Sequence, residues 1–286
     1  MMAGRAEVTP LGGVLGAEVS GVDWAEDVDE PTVRLLSAAW HEHQVLIFRG
    51  QRLSPERLVS VGRAFGDLER VETYAGLEGC PEVMPLVKEA TDTLNVGEGW
   101  HIDSTYRDRP PAGAVLYAVE VPPVGGDTLF ASMYAAYEAL SPGMRRLTDG
   151  LRVVHANGYL GDAAAMEERR AGLAMAVRTE TLVRTAEHPL VVRHPGTGRR
   201  SLFLNGMVAD GGMTSHFVDM TAEETTPLIR SLCAHAARDE FVLRIRWEPG
   251  MVVVYDNRCL QHNARNDYHG HRREMWRISL AGGIPT

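Results

Sequence analysis

His101-Ile102-Asp103 sets an imidazole and a carboxylate two residues apart, and His262, in Leu260-Gln261-His262-Asn263, supplies a second imidazole 161 positions later. Strand residues separated by one point to the same face, so His101 and Asp103 can both reach one small object beside a sheet. Two imidazoles and one carboxylate on one side of an ion are the set that holds non-haem Fe(II) while leaving other coordination positions open. A His-x-Asp triplet alone also describes an ordinary surface strand end. The residues that follow His262 tip the balance toward metal.

Those residues are His271-Arg272-Arg273-Glu274-Met275-Trp276-Arg277-Ile278-Ser279-Leu280. As a strand, this run puts Arg273, Met275 and Arg277 on one face and Glu274, Trp276 and Ile278 on the other. The two arginines are then attached about 13 Å apart, at roughly 3.3 Å per residue, which suits two separate anionic groups better than one. A guanidinium fork pairs bidentately with a carboxylate, which a lysine cannot imitate. The competing reading is an exposed basic edge strand that discourages aggregation.

With these motifs in place, the chain resembles the taurine dioxygenase (TauD/TfdA-like) family of Fe(II)- and 2-oxoglutarate-dependent oxygenases. The resemblance runs from Thr9-Pro10-Leu11-Gly12-Gly13 almost to the C-terminus. It rests on Val45-Leu46-Ile47-Phe48-Arg49-Gly50-Gln51, Trp100-His101-Ile102-Asp103-Ser104-Thr105, Gly125-Gly126-Asp127-Thr128-Leu129-Phe130, and Tyr255-Asp256-Asn257-Arg258-Cys259 through His262. The arginines eleven and fifteen positions after the second histidine also match.

The resemblance implies a mainly β fold with peripheral helices, a double-stranded β-helix (jelly roll) of the clavaminate synthase-like kind. It implies one domain over 1–286 with a lid-like insertion at about 157–187. His101, Asp103 and His262 would ligate Fe(II), and Thr128 and Arg273 would hold the distal carboxylate of the co-substrate 2-oxoglutarate. Arg277 would meet the substrate's anionic group or, alternatively, the C1 carboxylate of 2-oxoglutarate. The other co-substrate is O2, and oxidative decarboxylation to succinate and CO2 accompanies hydroxylation of an aliphatic C–H. Related halogenases lack the carboxylate ligand, so Asp103 argues against halogenation.

Taurine-oxidising members carry a histidine after Phe-Gly-Glu/Asp-Leu that helps bind the sulfonate. Here Phe65-Gly66-Asp67-Leu68 is followed by Glu69-Arg70-Val71, and Val71 takes that place. With Tyr74 nearby, Val71 points to a small anionic substrate with an apolar body. The runs Ser132 to Pro142 and His188 to Gly196 look closer to the aryloxyalkanoate (phenoxypropionate) branch. Rival readings are a tailoring oxygenase acting on a natural-product acid, a zinc hydrolase using the same ligands, and a non-catalytic 2-oxoglutarate or iron sensor. The hydrolase needs a general base beside the metal-bound water, and no carboxylate accompanies the motif to serve as one.

Composition agrees with a globular enzyme. The 286 residues are long enough to bury a substantial core, and charged and apolar fractions of 23% and 44% are ordinary. A formal charge of -9 makes the chain a poor partner for nucleic acid, so the basic pairs suit a small anion. Three scattered cysteines form neither a disulfide framework nor a zinc site, which fits a reducing cytoplasm. No apolar run approaches the roughly 18 residues a bilayer requires, and no secretory signal is evident. By the resemblance, a homo-oligomer, dimer or tetramer, is expected.

The elements that must position these residues can be read from pattern. Pro31 to His43 spaces Val33, Leu36 and Trp40 helically, and Ser54-Pro55 opens a second helix closed by Phe65-Gly66. Thr221 and Glu224 form a capping box before the stripe Leu228, Ile229, Leu232, Cys233 and Ala236. Strands are predicted at Val14 to Val19, Val45 to Phe48, Ala114 to Val121, Leu151 to His155, Leu190 to Arg193, Phe241 to Ile245, Met251 to Tyr255 and Met275 to Leu280. Trp100 and Tyr106 flank the metal motif. The remaining histidines, His155, His188 and His194 among them, read as structural or surface residues, with His216 the exception to watch.

Overall fold

The computed structural model describes residues 5–70, 75–157, 184–205 and 215–286. Val71, Tyr74 and most of the expected insertion at 157–187 lie outside the described residues. Through the first half of the chain the strands are β1 (Glu7–Pro10), β2 (Ala17–Ser20), β3 (Val45–Phe48), β4 (Leu68–Glu69), β5 (Met84–Lys88), β6 (Gly113–Glu120) and β7 (Thr128–Ser132). There follow β8 (Arg152–Ala156), β9 (Thr185–Pro189), β10 (Val191–Arg193), β11 (Arg200–Leu202) and β12 (Ser215–Phe217). The last are β13 (Val242–Ile245), β14 (Val252–Asp256), β15 (Leu260–Ala264) and β16 (Arg273–Leu280). The helices are α1 (Glu30–His43), α2 (Pro55–Phe65), α3 (Met133–Glu138), α4 (Pro142–Thr148) and α5 (Ala222–Ala236).

Two sheets carry the site. The larger has eight strands in the order β1-β2-β3-β14-β6-β16, with β4 and β5 both on the far side of β16. The smaller is β13-β7-β15, all antiparallel. Alternation along β14 explains its unbroken apolar run. Val252 and Val254 pack outward with Leu36 and Trp40 of α1 and Leu58 and Val61 of α2, while Val253 and Tyr255 face inward with Phe130, Leu260 and Met275. A strand covered on both faces has no polar positions to spare.

The helices begin where side-chain caps satisfy their first amides. Asp29 accepts from Thr32 N at 2.9 Å, Ser54 from Arg57 N at 3.3 Å, and Thr221 and Glu224 close the predicted box. Along α5 the buried residues Ile229, Leu232 and Ala236 fall on the expected stripe. Strand Val45–Phe48 lies where predicted, whereas Val14 to Gly16 is a turn and pairing begins at Ala17. Gly16 has φ +94°, which a continuing strand does not allow. Among the described residues no helix is long and apolar enough to cross a membrane.

β16 is not an edge. It runs between β6 and β5/β4, and Arg273 is only 6% exposed, so the basic-edge reading fails. The His101–Asp103 segment departs from expectation in another way. It makes a single bridge, His101 to His262, and the chain turns away at Ser104, whose φ is +51°. Strand alternation therefore does not explain why both side chains converge.

Candidate metal and co-substrate site

The convergence of His101 and Asp103 is produced by side-chain amides. Asn205 takes the Ile102 N–H at 2.6 Å and donates to the Ile102 carbonyl and Thr105 Oγ1, each at 2.8 Å. Asn257 accepts the Asp103 N–H at 2.8 Å and donates to the Asp103 and Pro111 carbonyls at 3.2 and 2.9 Å. These two asparagines give the short segment the backbone partners that a strand would otherwise have supplied. Sequence reasoning missed both, although Asn257 sits inside the quoted Tyr255-to-Cys259 motif.

His262 reaches the same point from β15, where it is paired with Phe130 of β7 and bridged to His101. Its ring packs between Phe130 and Tyr255, with centroids 6.0 and 4.8 Å away. The two imidazoles lie 4.1 Å apart, and each Nε2 is 3.7 Å from an Asp103 oxygen. One donor atom from each of the three residues falls within 4.8 Å of the others. His101 Nδ1–H donates to the Gly99 carbonyl at 2.9 Å, which leaves Nε2 with a lone pair for a cation. Burial, with the His101 and Arg277 charges added, pushes His262 down to about 3 against the pull of Asp103. Its imidazole is therefore neutral at ordinary pH, as metal ligation requires.

Asp103 is held ionised. Burial alone would raise its carboxyl, but Arg277 Nη2 at 2.8 Å, the two imidazoles and the Tyr255 hydroxyl at 2.6 Å hold it well below the usual range. Burial and the carboxylate push the Tyr255 phenol upward against the opposing Arg277, so it stays a donor. Tyr255 is a second residue that sequence reasoning passed over. Two imidazoles and one carboxylate fit a divalent metal that accepts nitrogen and oxygen ligands.

A second group of residues gathers around Arg273. Gly125 and Gly126, with φ +78° and +70°, carry the chain around Asp267, whose Oδ1 accepts the Gly126 N–H at 2.8 Å. A Cβ on Gly125 would meet the Asp267 carbonyl at 2.7 Å, so the turn into Thr128 requires glycine there. Thr128 Oγ1 accepts the Trp247 indole N–H at 2.9 Å. Indole nitrogen only donates, so the Thr128 hydroxyl keeps its own proton for an incoming acceptor. Burial lowers the Arg273 guanidinium, its Nε finds no hydrogen-bond partner among the described residues, and Trp247 lies 5.9 Å beneath it. Nearby Asp127 is engaged by Arg244 at 2.5 Å. A buried cation and a committed hydroxyl donor fit a carboxylate.

His101, Asp103, His262 and Arg277 are thus brought to one point, and Thr128 and Arg273 to another. Trp100 packs partly buried against the third core cluster, and His216 is exposed on β12. His155, His188 and His194 are buried. His41, His194 and Asp256 also lie close enough together to suggest a metal. There, however, His194 Nδ1 accepts the Gly196 and Thr197 amides at 3.1 Å, and Nε2 donates to Asp256 at 3.0 Å. Arg258 engages both Asp256 oxygens, so this cluster is a closed hydrogen-bonded brace for β14.

The chain matches the family described as "Taurine catabolism dioxygenase TauD, TfdA family" over residues 7–279. It is 35% identical to a (S)-phenoxypropionate/alpha-ketoglutarate-dioxygenase of Delftia acidovorans, covering 98% of this chain and 96% of that protein. It is 33% identical to an alpha-ketoglutarate-dependent sulfate ester dioxygenase of Pseudomonas putida, covering 98% and 91%. Among solved structures, that of AAD-2 in complex with Mn(II) and N-oxalylglycine superposes with a TM-score of 0.77 at 26% identity, covering 99% of both chains. On the strength of this match along nearly the whole chain, over a double-stranded β-helix with a His-Asp-His cluster, the protein belongs to the TauD/TfdA family and is an Fe(II)- and 2-oxoglutarate-dependent dioxygenase.

Proposed function

We propose that this dioxygenase hydroxylates an aliphatic C–H of a small anionic substrate, with aryloxyalkanoate-like carboxylates favoured over taurine. The observation that carries the reading is the Arg277 guanidinium lying 2.8 Å from Asp103, which offers a cation to an anionic substrate within reach of the metal cluster. In this reading His101, Asp103 and His262 bind Fe(II), and Thr128 and Arg273 hold the distal carboxylate of 2-oxoglutarate. Iron held by these three residues would supply O2 activation coupled to decarboxylation of 2-oxoglutarate, with one oxygen atom ending in succinate, CO2 released, and the other oxygen ending in the substrate. Tyr255 and the two asparagines fix the ligands, while Phe130, Trp247 and the apolar core exclude water.

Val71, which in the sequence takes the place of the sulfonate-binding histidine, supports a carboxylate with an apolar body, and Tyr74 is a further substrate-binding candidate from the same stretch of sequence. The names of the two relatives point to anions whose oxidised carbon can bear an oxygen atom. Hydroxylation of such a carbon gives an unstable product that collapses to a carbonyl compound, releasing a phenol from an aryl ether or sulfate from a sulfate ester. The P. putida relative makes alkyl sulfates the second substrate class to weigh. A cytoplasmic homo-oligomer remains the expected setting.

The test is succinate formation with Fe(II), 2-oxoglutarate, ascorbate and O2 across taurine, both phenoxypropionate enantiomers, phenoxyacetates, alkyl sulfates and terpenoid acids. Substrate-dependent succinate matched by phenol release supports the reading. Faster turnover of taurine than of every carboxylate and sulfate ester overturns the substrate class, and 2-oxoglutarate binding without turnover of any compound favours a sensor.

A further inference from the structure

The chain contains a single lysine, Lys88, among 29 basic residues. Lysine is normally the most solvent-seeking of side chains, yet Lys88 is 3% exposed. It ends β5, directly opposite Arg273 in the register with β16. Its Nζ has no hydrogen-bond partner among the described residues and lies 4.6 Å over the Tyr268 ring. A ring face attracts an ammonium but offers no lone pairs to its three donors. Lys88, Arg273, Tyr268 and Asn95 line one small cavity, closed on its apolar side by Leu86 and Val96.

Two desolvated cations facing one cavity without a paired carboxylate are costly unless an anion joins them. Every other basic position of the chain is arginine, so a mere need for positive charge does not account for Lys88. A compact ammonium beside the Arg273 fork leaves room that a second guanidinium would fill.

We propose that Lys88 is a co-substrate-binding residue that supplies, with Arg273, a second positive charge to the distal carboxylate of 2-oxoglutarate. The inference rests on the placement of that carboxylate at Arg273 proposed above. It assigns to this chain a two-cation carboxylate pocket, with Thr128 as a neutral donor.

The single lysine makes the test direct. Protein carrying [ε-13C]lysine gives one lysine side-chain resonance, which should shift when 2-oxoglutarate is added to the enzyme loaded with diamagnetic Zn(II). 2-Oxopentanoate, which keeps the keto acid but lacks the distal carboxylate, should leave it in place. In calorimetric titrations Lys88→Met should weaken 2-oxoglutarate binding roughly tenfold to a hundredfold, the worth of one hydrogen bond to a charged group. Its affinity for 2-oxopentanoate should match wild type.

A resonance that ignores 2-oxoglutarate, or a Lys88→Met protein that binds it normally, overturns the role of Lys88. Equal weakening of both keto acids also overturns it, because Lys88 would then act through the fold. These results leave the dioxygenase reading intact, whereas wild-type protein that binds no 2-oxoglutarate removes both. The resonance is read on wild-type protein, so misfolding of the variant does not block the test.

Discussion

Arg277 Nη2 and the Tyr255 hydroxyl converge on the same atom, Asp103 Oδ2, at 2.8 and 2.6 Å. Asp103 therefore presents its other oxygen, Oδ1, toward His101. An arginine that pairs with the carboxylate of the His-Asp-His cluster is positioned to exchange that partner for an incoming anion.

Replacement of Arg277 by alanine should raise the substrate KM roughly tenfold to a hundredfold, the range for a charge-assisted hydrogen bond. The KM for 2-oxoglutarate should change much less, since Arg273 and Thr128 are separate from Arg277. Steady-state kinetics with each compound varied in turn decides the matter. Equal increases would place Arg277 on the C1 carboxylate of the co-substrate instead.

Tyr255→Phe removes one hydroxyl from beneath Asp103 and leaves the ring packed against Phe130 and His262. Partners behind metal ligands typically contribute 10- to 100-fold in affinity, so Fe(II) or Mn(II) should bind weaker by about that factor. The fold should lose no more than about 3 kcal/mol, the upper end for a hydrogen bond to a charged group. Metal titration followed by fluorescence, with urea unfolding alongside, checks both statements. Unchanged metal affinity would mean that Arg277 alone orients Asp103.

Thr128 and Trp247 allow a test of hydroxyl direction. Thr128→Val removes the donor and strands the buried indole N–H, so the KM for 2-oxoglutarate should rise about tenfold. Trp247→Phe removes only the interaction that orients the hydroxyl, and its effect should be clearly smaller. Equal effects in co-substrate titrations would show that the Thr128 proton does not reach the carboxylate.

The parts of this molecule legible in the sequence are those governed by short-range pattern. Period-two alternation placed Arg273, Met275 and Arg277 inward on β16, and caps located α2 and α5. His101, Asp103 and His262 could be singled out because residue type itself suggests the chemistry, and the structure brings the three together. What was illegible depends on partners far apart in the chain. Asn205 and Asn257 hold the His101–Asp103 segment from 103 and 154 residues away, and an asparagine bears no local mark of such a task. Lys88 follows Met84-Pro85-Leu86-Val87 and precedes Glu89, a context that reads as an ordinary strand end. Only the pairing of β5 with β16 reveals that it is buried beside Arg273.

A buried histidine away from the metal site gives the protein a specific acid sensitivity. His155 lies on β8 beside His188 and Phe203, with Ser215 Oγ 3.4 Å from its Nδ1. Burial, aided by His188, pushes it down to about 3. The unfolded chain holds a proton on this residue below about pH 6.5, while the folded protein refuses it until near pH 3. Unfolding thus takes up a proton between these limits, so the contribution of neutral His155 to stability is complete above pH 6.5 and is lost as pH falls toward 3. Urea unfolding at pH 7 and pH 5 should show wild type weakening on acidification. His155→Asn, which cannot titrate, should be less stable at pH 7 but lose less between the two. An unchanged pH slope in the variant would mean that His155 is not the group responsible.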